Sequence, residues 1–254
     1  LVYAEPFRNH TFGIAPEVYQ VKYEEPNVMK SKGVMFGANL FYAYHDNQDQ
    51  NNWMFKIEGR GAVGNMDYSS SGTGSVDNLR DFTFEPRVLV GYDLSIADER
   101  AIYTLYTGFG YRYLNDDSSG KVTTTGHVGY NRESNYFYLP IGIEASKHFD
   151  TWLISVLVEY DFLWAGTQIS HLEDVSSSFN TLHNDQNKGS GFRGSLKFSK
   201  RSERFDVTFE PFFRYWRIEN SEDSLLTFSD VPIAIGLEPL NRTTEVGGDV
   251  SIQF

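Results

Sequence analysis

Trp152-Leu-Ile-Ser-Val-Leu-Val-Glu-Tyr-Asp-Phe162 carries Trp152, Ile154, Val156, Val158, Tyr160 and Phe162 in one register and Ser155, Glu159 and Asp161 in the other. Successive side chains of an extended chain point to opposite faces, so this stretch reads as a β-strand with one apolar and one charged face. Its first part, Trp152 to Val158, is the most apolar run of the chain, and Glu159 and Asp161 interrupt it at once. No run reaches the roughly 18 apolar residues that mark a transmembrane helix.

The same period recurs on both sides of this stretch. Trp53, Phe55 and Ile57 oppose Lys56, Glu58 and Arg60; Phe82, Phe84, Val88 and Val90 oppose Glu85 and Arg87; Phe205, Val207, Phe209, Phe213 and Tyr215 oppose Asp206, Thr208, Glu210 and Arg214. Extended along the chain, the pattern gives ten segments: 12–23, 34–44, 53–64, 82–92, 102–113, 136–146, 152–164, 191–199, 204–217 and 243–254. Each is long enough to cross a bilayer as a tilted strand, and an even number suits a single-chain barrel. The segments are joined alternately by short connections (45–52, 93–101, 147–151, 200–203) and longer ones (65–81, 114–135, 165–190, 218–242), with 24–33 of middling length. The expectation is an all-β fold: a transmembrane antiparallel up-and-down barrel of ten strands, with eight or twelve as alternatives. Its short turns would be periplasmic and its long loops extracellular. Pro86, Pro140 and Pro211 fall inside strands, where each removes a ladder hydrogen bond, and β-bulges are expected there.

Composition separates this reading from a soluble sandwich. Hydrophobic residues are 40% of the 254 and mean hydropathy is −0.41, yet aromatics reach 16%, with 20 Phe and 16 Tyr. Membrane barrels need rings at both interfaces. Trp53, Trp152 with Tyr160 and Phe162, Tyr103 with Tyr111 and Tyr113, and Phe213 with Tyr215 have the spacing of two girdles. Ten residues at about 45° tilt span roughly 23 Å, near the height of an outer-membrane apolar band. A net charge of −12 argues against nucleic acid as a partner. Cysteine is absent, which removes disulfides and thiolate metal sites. Residues 1–4, Leu-Val-Tyr-Ala, read as the remnant of a secretory signal before a single domain over 5–254.

At the C-terminal end, Val246, Val250, Ile252 and Phe254 alternate with Glu245, Asp249 and Gln253. Val250, Ile252 and the final Phe254 resemble the signal that the bacterial barrel-assembly machinery recognises. With the strand pattern, the chain resembles the small bacterial outer-membrane barrels of the porin-like or omptin-sized class. That resemblance implies the outer membrane of a Gram-negative cell, with surrounding lipid and lipopolysaccharide as partners.

If the rings face lipid, the other face lines the lumen. That set is Lys56, Glu58, Arg60, Glu85, Arg87, Arg112, Glu144, Glu159, Asp161, Arg193, Lys197, Asp206, Glu210 and Arg214, seven of each sign. Unpaired charge in so narrow a space is costly, so a paired network is expected, with Glu58 and Arg60 close to Glu85 and Arg87. A ten-stranded barrel lies near the size that side chains fill, which predicts a plugged or narrow pore. The excess negative charge belongs to loops such as 115–117, 173–174 and 219–223. These could bridge to lipopolysaccharide through divalent cations or meet an extracellular protein, although no calcium-loop spacing occurs and no metal or cofactor is assigned. Omptin-type proteases carry an Asp-x-His pair at the extracellular rim. Here His127, His171 and His183 lie in loops, with Asp174 and Asp185 nearby, but His183-Asn-Asp185 runs in the reverse order. Ser176, Ser177 and Ser178 stand between two of these histidines without a nucleophile motif. The reading is therefore a non-enzymatic barrel, either a narrow channel for a small solute or a structural and interaction protein, with a rim-active hydrolase as the alternative. The apolar loop 224–240 should fold into the mouth or form an adhesive surface.

Overall fold

The computed structural model describes residues 8–46, 51–96 and 101–254. The expected leader remnant over residues 1–4 lies outside the described residues. In chain order the strands are β1 (His10–Glu25), β2 (Met29–His45), β3 (Asn51–Ser70), β4 (Gly74–Ile96), β5 (Ala101–Asp117), β6 (Asn131–Phe149) and β7 (Trp152–Ser170). They continue with β8 (Leu182–Asp185), β9 (Gly189–Lys200), β10 (Asp206–Ile218), β11 (Ser224–Phe228), β12 (Val231–Gly236) and β13 (Asn241–Gln253). Ten of them close on themselves, all antiparallel, in the order β6-β5-β4-β3-β2-β1-β13-β10-β9-β7, with β7 pairing back to β6. At the seam between β1 and β13, Phe12 and Phe254 exchange both backbone hydrogen bonds. Closure leaves none of these ten strands with a free edge along the barrel wall.

The alternation read from sequence sorts the faces. Trp53, Phe55, Ile57, Phe82, Phe84, Val88 and Val90 are exposed on the outside, as are Trp152, Val156, Val158, Tyr160 and Phe162. Val250, Ile252, Phe254 and Phe213 are exposed in the same way, and Tyr103, Tyr111, Tyr113 and Tyr215 are partly exposed. The belt ends in polar side chains towards the loop end: beyond Val63 stand Asn65 and Asp67, and beyond Phe82 stands Arg80.

Two expectations need correction. The prolines carry no bulges. Phe84 pairs with Tyr113 and Arg87 with Gly110, the same register on either side of Pro86. Register is likewise unchanged across Pro140 and Pro211. A missing N–H costs one bond towards one neighbour, and the strand sustains that without an inserted residue. The described β3–β4 and β6–β7 ladders shift instead between Met66 and Tyr68 and between Phe137 and Tyr138.

The long connections are also more structured than expected. Most of 65–81 is strand, because β3 and β4 continue past the belt to a tight turn, and β4 alone has 23 residues. Beyond the belt the outer face is polar, as at Asn65, Asp67 and Arg80, while Met66 and Leu79 stay buried inside, so the outward apolar register stops although the backbone ladder persists. The 24–33 connection shrinks to a turn over residues 26–28, and 165–190 contains β8. In 218–242, β11 and β12 form a hairpin. Two ends of the barrel result: a turn end, which also carries strand ends at His10 and Gln253, and a loop end.

Candidate functional site

Inside the barrel, the register brings opposite charges face to face. Glu58 pairs with Arg87 and Arg60 with Glu85 across β3 and β4. Arg60 donates to Glu85 at 2.7 Å and to Glu245 at 2.9 Å. Arg87 bridges Glu58 at 3.1 Å and Glu159 at 2.5 Å. Arg193, reaching in from β9, donates to Asp161 at 2.7 Å, lies 3.0 Å from Glu159 and also bonds Glu85. Arg112 and Arg214 each reach Glu245 at 3.3 Å, and Arg214 also pairs with Glu17. Glu85, Asp161, Glu159 and Arg112 are at most 1% exposed.

Rings complete this layer. Tyr138 donates to Glu85 at 2.6 Å and accepts from Arg193 at 2.8 Å; Tyr106 donates to Glu159 at 2.7 Å. Arg112 and Arg193 lie over Trp216, and Arg60 lies over Tyr19. Two inward glycines make room for the phenols. Tyr138 stands opposite Gly110, and Tyr106 opposite Gly142. A Cβ on either glycine would fall 2.2 or 2.3 Å from the facing ring.

The layer lies between two cavities whose lining residues do not overlap. The larger, about 220 Å³, is at the turn end. Lys56, Glu144, Lys197, Asp206 and Glu210 line it, so these members of the expected lumen set stand below the layer. Lys56 pairs with Glu58 and Lys197 with Glu144, both at 2.6 Å. The smaller cavity, about 60 Å³, is at the loop end. Arg60, Glu85, Tyr138, Glu159, Asp161, Arg193 and Trp216 line neither cavity.

Several members of the interior were missed from sequence. Glu17 sits in the first segment, 12–23, from which the expected lumen set takes no residue, and Glu245 belongs to the C-terminal signature. Glu17, Glu245 and Asp249 all turn inward and are buried, so the interior is acidic rather than balanced. Tyr19, Tyr106, Tyr136, Tyr138, Phe212 and Trp216 are buried rings that an assignment of aromatics to lipid overlooks. Residues 115–117, expected in a loop, belong to β5, where Asp116 accepts from Arg132 at 2.8 Å.

At the loop rim, His171 is clipped between two carboxylates, 2.9 Å from Glu133 and 3.0 Å from Glu173. Burial opposes its charge, but hydrogen bonds to Glu173 and Glu133 outweigh that and raise its pKa above the ordinary histidine value. Thr181 donates to the same Glu173 oxygen, so the clip ties the two ends of this loop together. His183 lies on β8 and His127 bonds Thr125, so the three histidines are not assembled into one site. Ser176 accepts from the Ser178 amide within its own turn. The hairpin of β11 and β12 turns outward: Val231, Ile233 and Ile235 are exposed, and Phe179 packs on Phe228 at its tip.

Among solved structures, the chain is similar to the outer-membrane protease OmpT of Escherichia coli, at a TM-score of 0.60 and 11% identity, over 99% of this chain and 100% of that one. The fold is that of the bacterial outer-membrane β-barrels. The translocator domain of the autotransporter NalP from Neisseria meningitidis is similar as well, at a TM-score of 0.51 and 12% identity, over 98% and 89% of the two chains. Identities this low speak for the fold alone. No protein-family model and no curated protein sequence matches the chain.

Proposed function

We propose that the protein is a non-enzymatic outer-membrane barrel, its loop end outside the cell, closed at mid-height, which acts by presenting its loop end. The observation that carries this is the buried layer of Arg60, Glu85, Glu159, Asp161 and Arg193, lying between two cavities with no lining residue in common. A ten-stranded barrel has little lumen beyond what side chains fill, and here arginines and phenols fill it. The belt of outward rings supports a bilayer, and Val250, Ile252 and Phe254 on its surface suit recognition by the barrel-assembly machinery. Exposed acids at the loop end, such as Asp117, Glu222 and Asp223, suit cation-bridged lipopolysaccharide or a basic extracellular partner.

Because the chain has no cysteine, single thiols report both orientation and location. With Ser119→Cys at the loop end and Thr151→Cys at the turn end, a membrane-impermeant maleimide should label only the first on intact cells. The second should label after permeabilisation. The reverse pattern, or labelling of neither on intact cells, would overturn the placement. Proteoliposomes containing the folded protein should retain a trapped small sugar, and leakage would contradict the closed interior.

A further inference from the structure

The loop-end cavity has the chemistry of a receptor. Met35, Met66 and Leu114 are among its lining residues and give it apolar surface. Set among these are polar atoms, buried and without a hydrogen-bond partner: the hydroxyls of Tyr19, Ser31, Thr83 and Thr243. Those four residues are at most 4% exposed. A buried hydroxyl left unpaired is destabilising, and four around one cavity favour an occupant with polar atoms.

The carboxylates say which charge that ligand carries. Asp81 on β4 and Asp116 on β5 stand directly opposite each other in register, and both line the cavity. Like charges so placed repel, and burial together with the facing Asp116 pushes the Asp81 carboxyl up to about 8, so a cation is what would hold both ionised. Arg132 satisfies one oxygen of Asp116 but is shared with Glu25 at 2.8 Å and Glu238 at 3.6 Å. The described residues give Asp81 no ion pair, and the Oδ1 atoms of both aspartates are buried without a hydrogen-bond partner. Arg112, the other cation on the wall, reaches Glu245 at 3.3 Å and lies over the face of Trp216, with its Nε buried and without a hydrogen-bond partner.

We infer that the loop-end cavity binds a small organic cation, an ammonium group on a compact apolar body, with the ammonium between Asp81 and Asp116. The apolar part lies against Met35, Met66 and Leu114, and the hydroxyls of Thr83 and Thr243 take up remaining polar atoms. A bare divalent cation fits less well, since it wants six or more oxygens and here meets thioether and aliphatic walls. The inference rests on the closed-barrel reading, because a cavity with a floor retains a ligand that an open pore would pass.

The test is calorimetric titration of the whole protein in lipid nanodiscs with benzylammonium, benzyl alcohol and benzoate, after subtraction of partitioning into empty nanodiscs. Benzylammonium should bind saturably, about ten-fold or more tightly than benzyl alcohol, as expected for a charge-assisted hydrogen bond, and benzoate should not bind. Asp81→Asn should abolish most of the preference for the ammonium, with circular dichroism showing the barrel retained. Equal binding of ammonium and alcohol, or an unchanged preference in folded Asp81→Asn, would overturn the inference. So would the absence of saturable binding, which would mean that a proton neutralises Asp81. The comparison of ammonium with alcohol needs no variant, so misfolding of Asp81→Asn leaves it intact. A current through the protein that benzylammonium blocks would keep this site and overturn the closed barrel instead.

Discussion

Arg193 is held by three carboxylates, Glu85, Glu159 and Asp161, and by the Tyr138 hydroxyl, in a layer with almost no contact with water. Removing one partner from such a cluster strands charge that is already desolvated. Arg193→Ala should therefore cost about 3–5 kcal/mol, read as a lower urea midpoint for the refolded protein in micelles. An unchanged midpoint would mean that the cluster is hydrated and not a packed layer. Gly110→Ala tests the same layer sterically: its new methyl would meet the Tyr138 ring, displacing the phenol from Glu85 and Arg193. A loss of about 1–3 kcal/mol is expected, since overpacking on that scale is what a tight interior resists. Legibility in the sequence divides along the same line. The pairs Glu58–Arg87 and Arg60–Glu85 follow from alternation plus strand adjacency, two properties visible in a string of letters. Tyr138 and Trp216 do not, because an inward ring and an outward ring are the same letter. Only the glycine on the neighbouring strand, as at Gly110, signals that a ring turns in.

At the scale of elements, the loop after β7 is fastened by His171 on Glu133 and Glu173. Its raised pKa fixes the sign of the pH dependence. The stabilisation is fully present below the unfolded histidine value of about 6.5 and is lost as pH rises through the higher folded value. The imidazole resonance of His171 should titrate above the ordinary value, and protease nicking within residues 172–181 should increase on the alkaline side. A titration at or below the ordinary histidine value would remove the clip from the account. His171→Gln should make nicking independent of pH over this range. The strands of the barrel wall were legible because one face had to meet lipid. The extensions of β3 and β4, the short β8 and the hairpin of β11 and β12 were not. There the outer face meets water or a neighbouring loop instead of lipid, so no outward apolar register marks the sequence, although Met66 and Leu79 stay buried on the inner face of the extensions.

For the whole molecule, the charge of −12 is distributed unevenly. Acids outnumber bases inside, where the sequence suggested balance, through Glu17, Glu245 and Asp249, and further acids crowd the loop end around Arg132. In the proposed function the belt of the barrel faces lipid, paired charge and rings seal its mid-height, and its loop end meets the outside. The central claim is the seal. The direct test is single-channel recording of the refolded wild-type protein in a planar bilayer, with folding confirmed on the same sample. The account predicts a silent membrane at moderate voltage. Discrete, reproducible conductance steps from the folded wild-type protein would contradict it and identify the charged layer as the lining of a path.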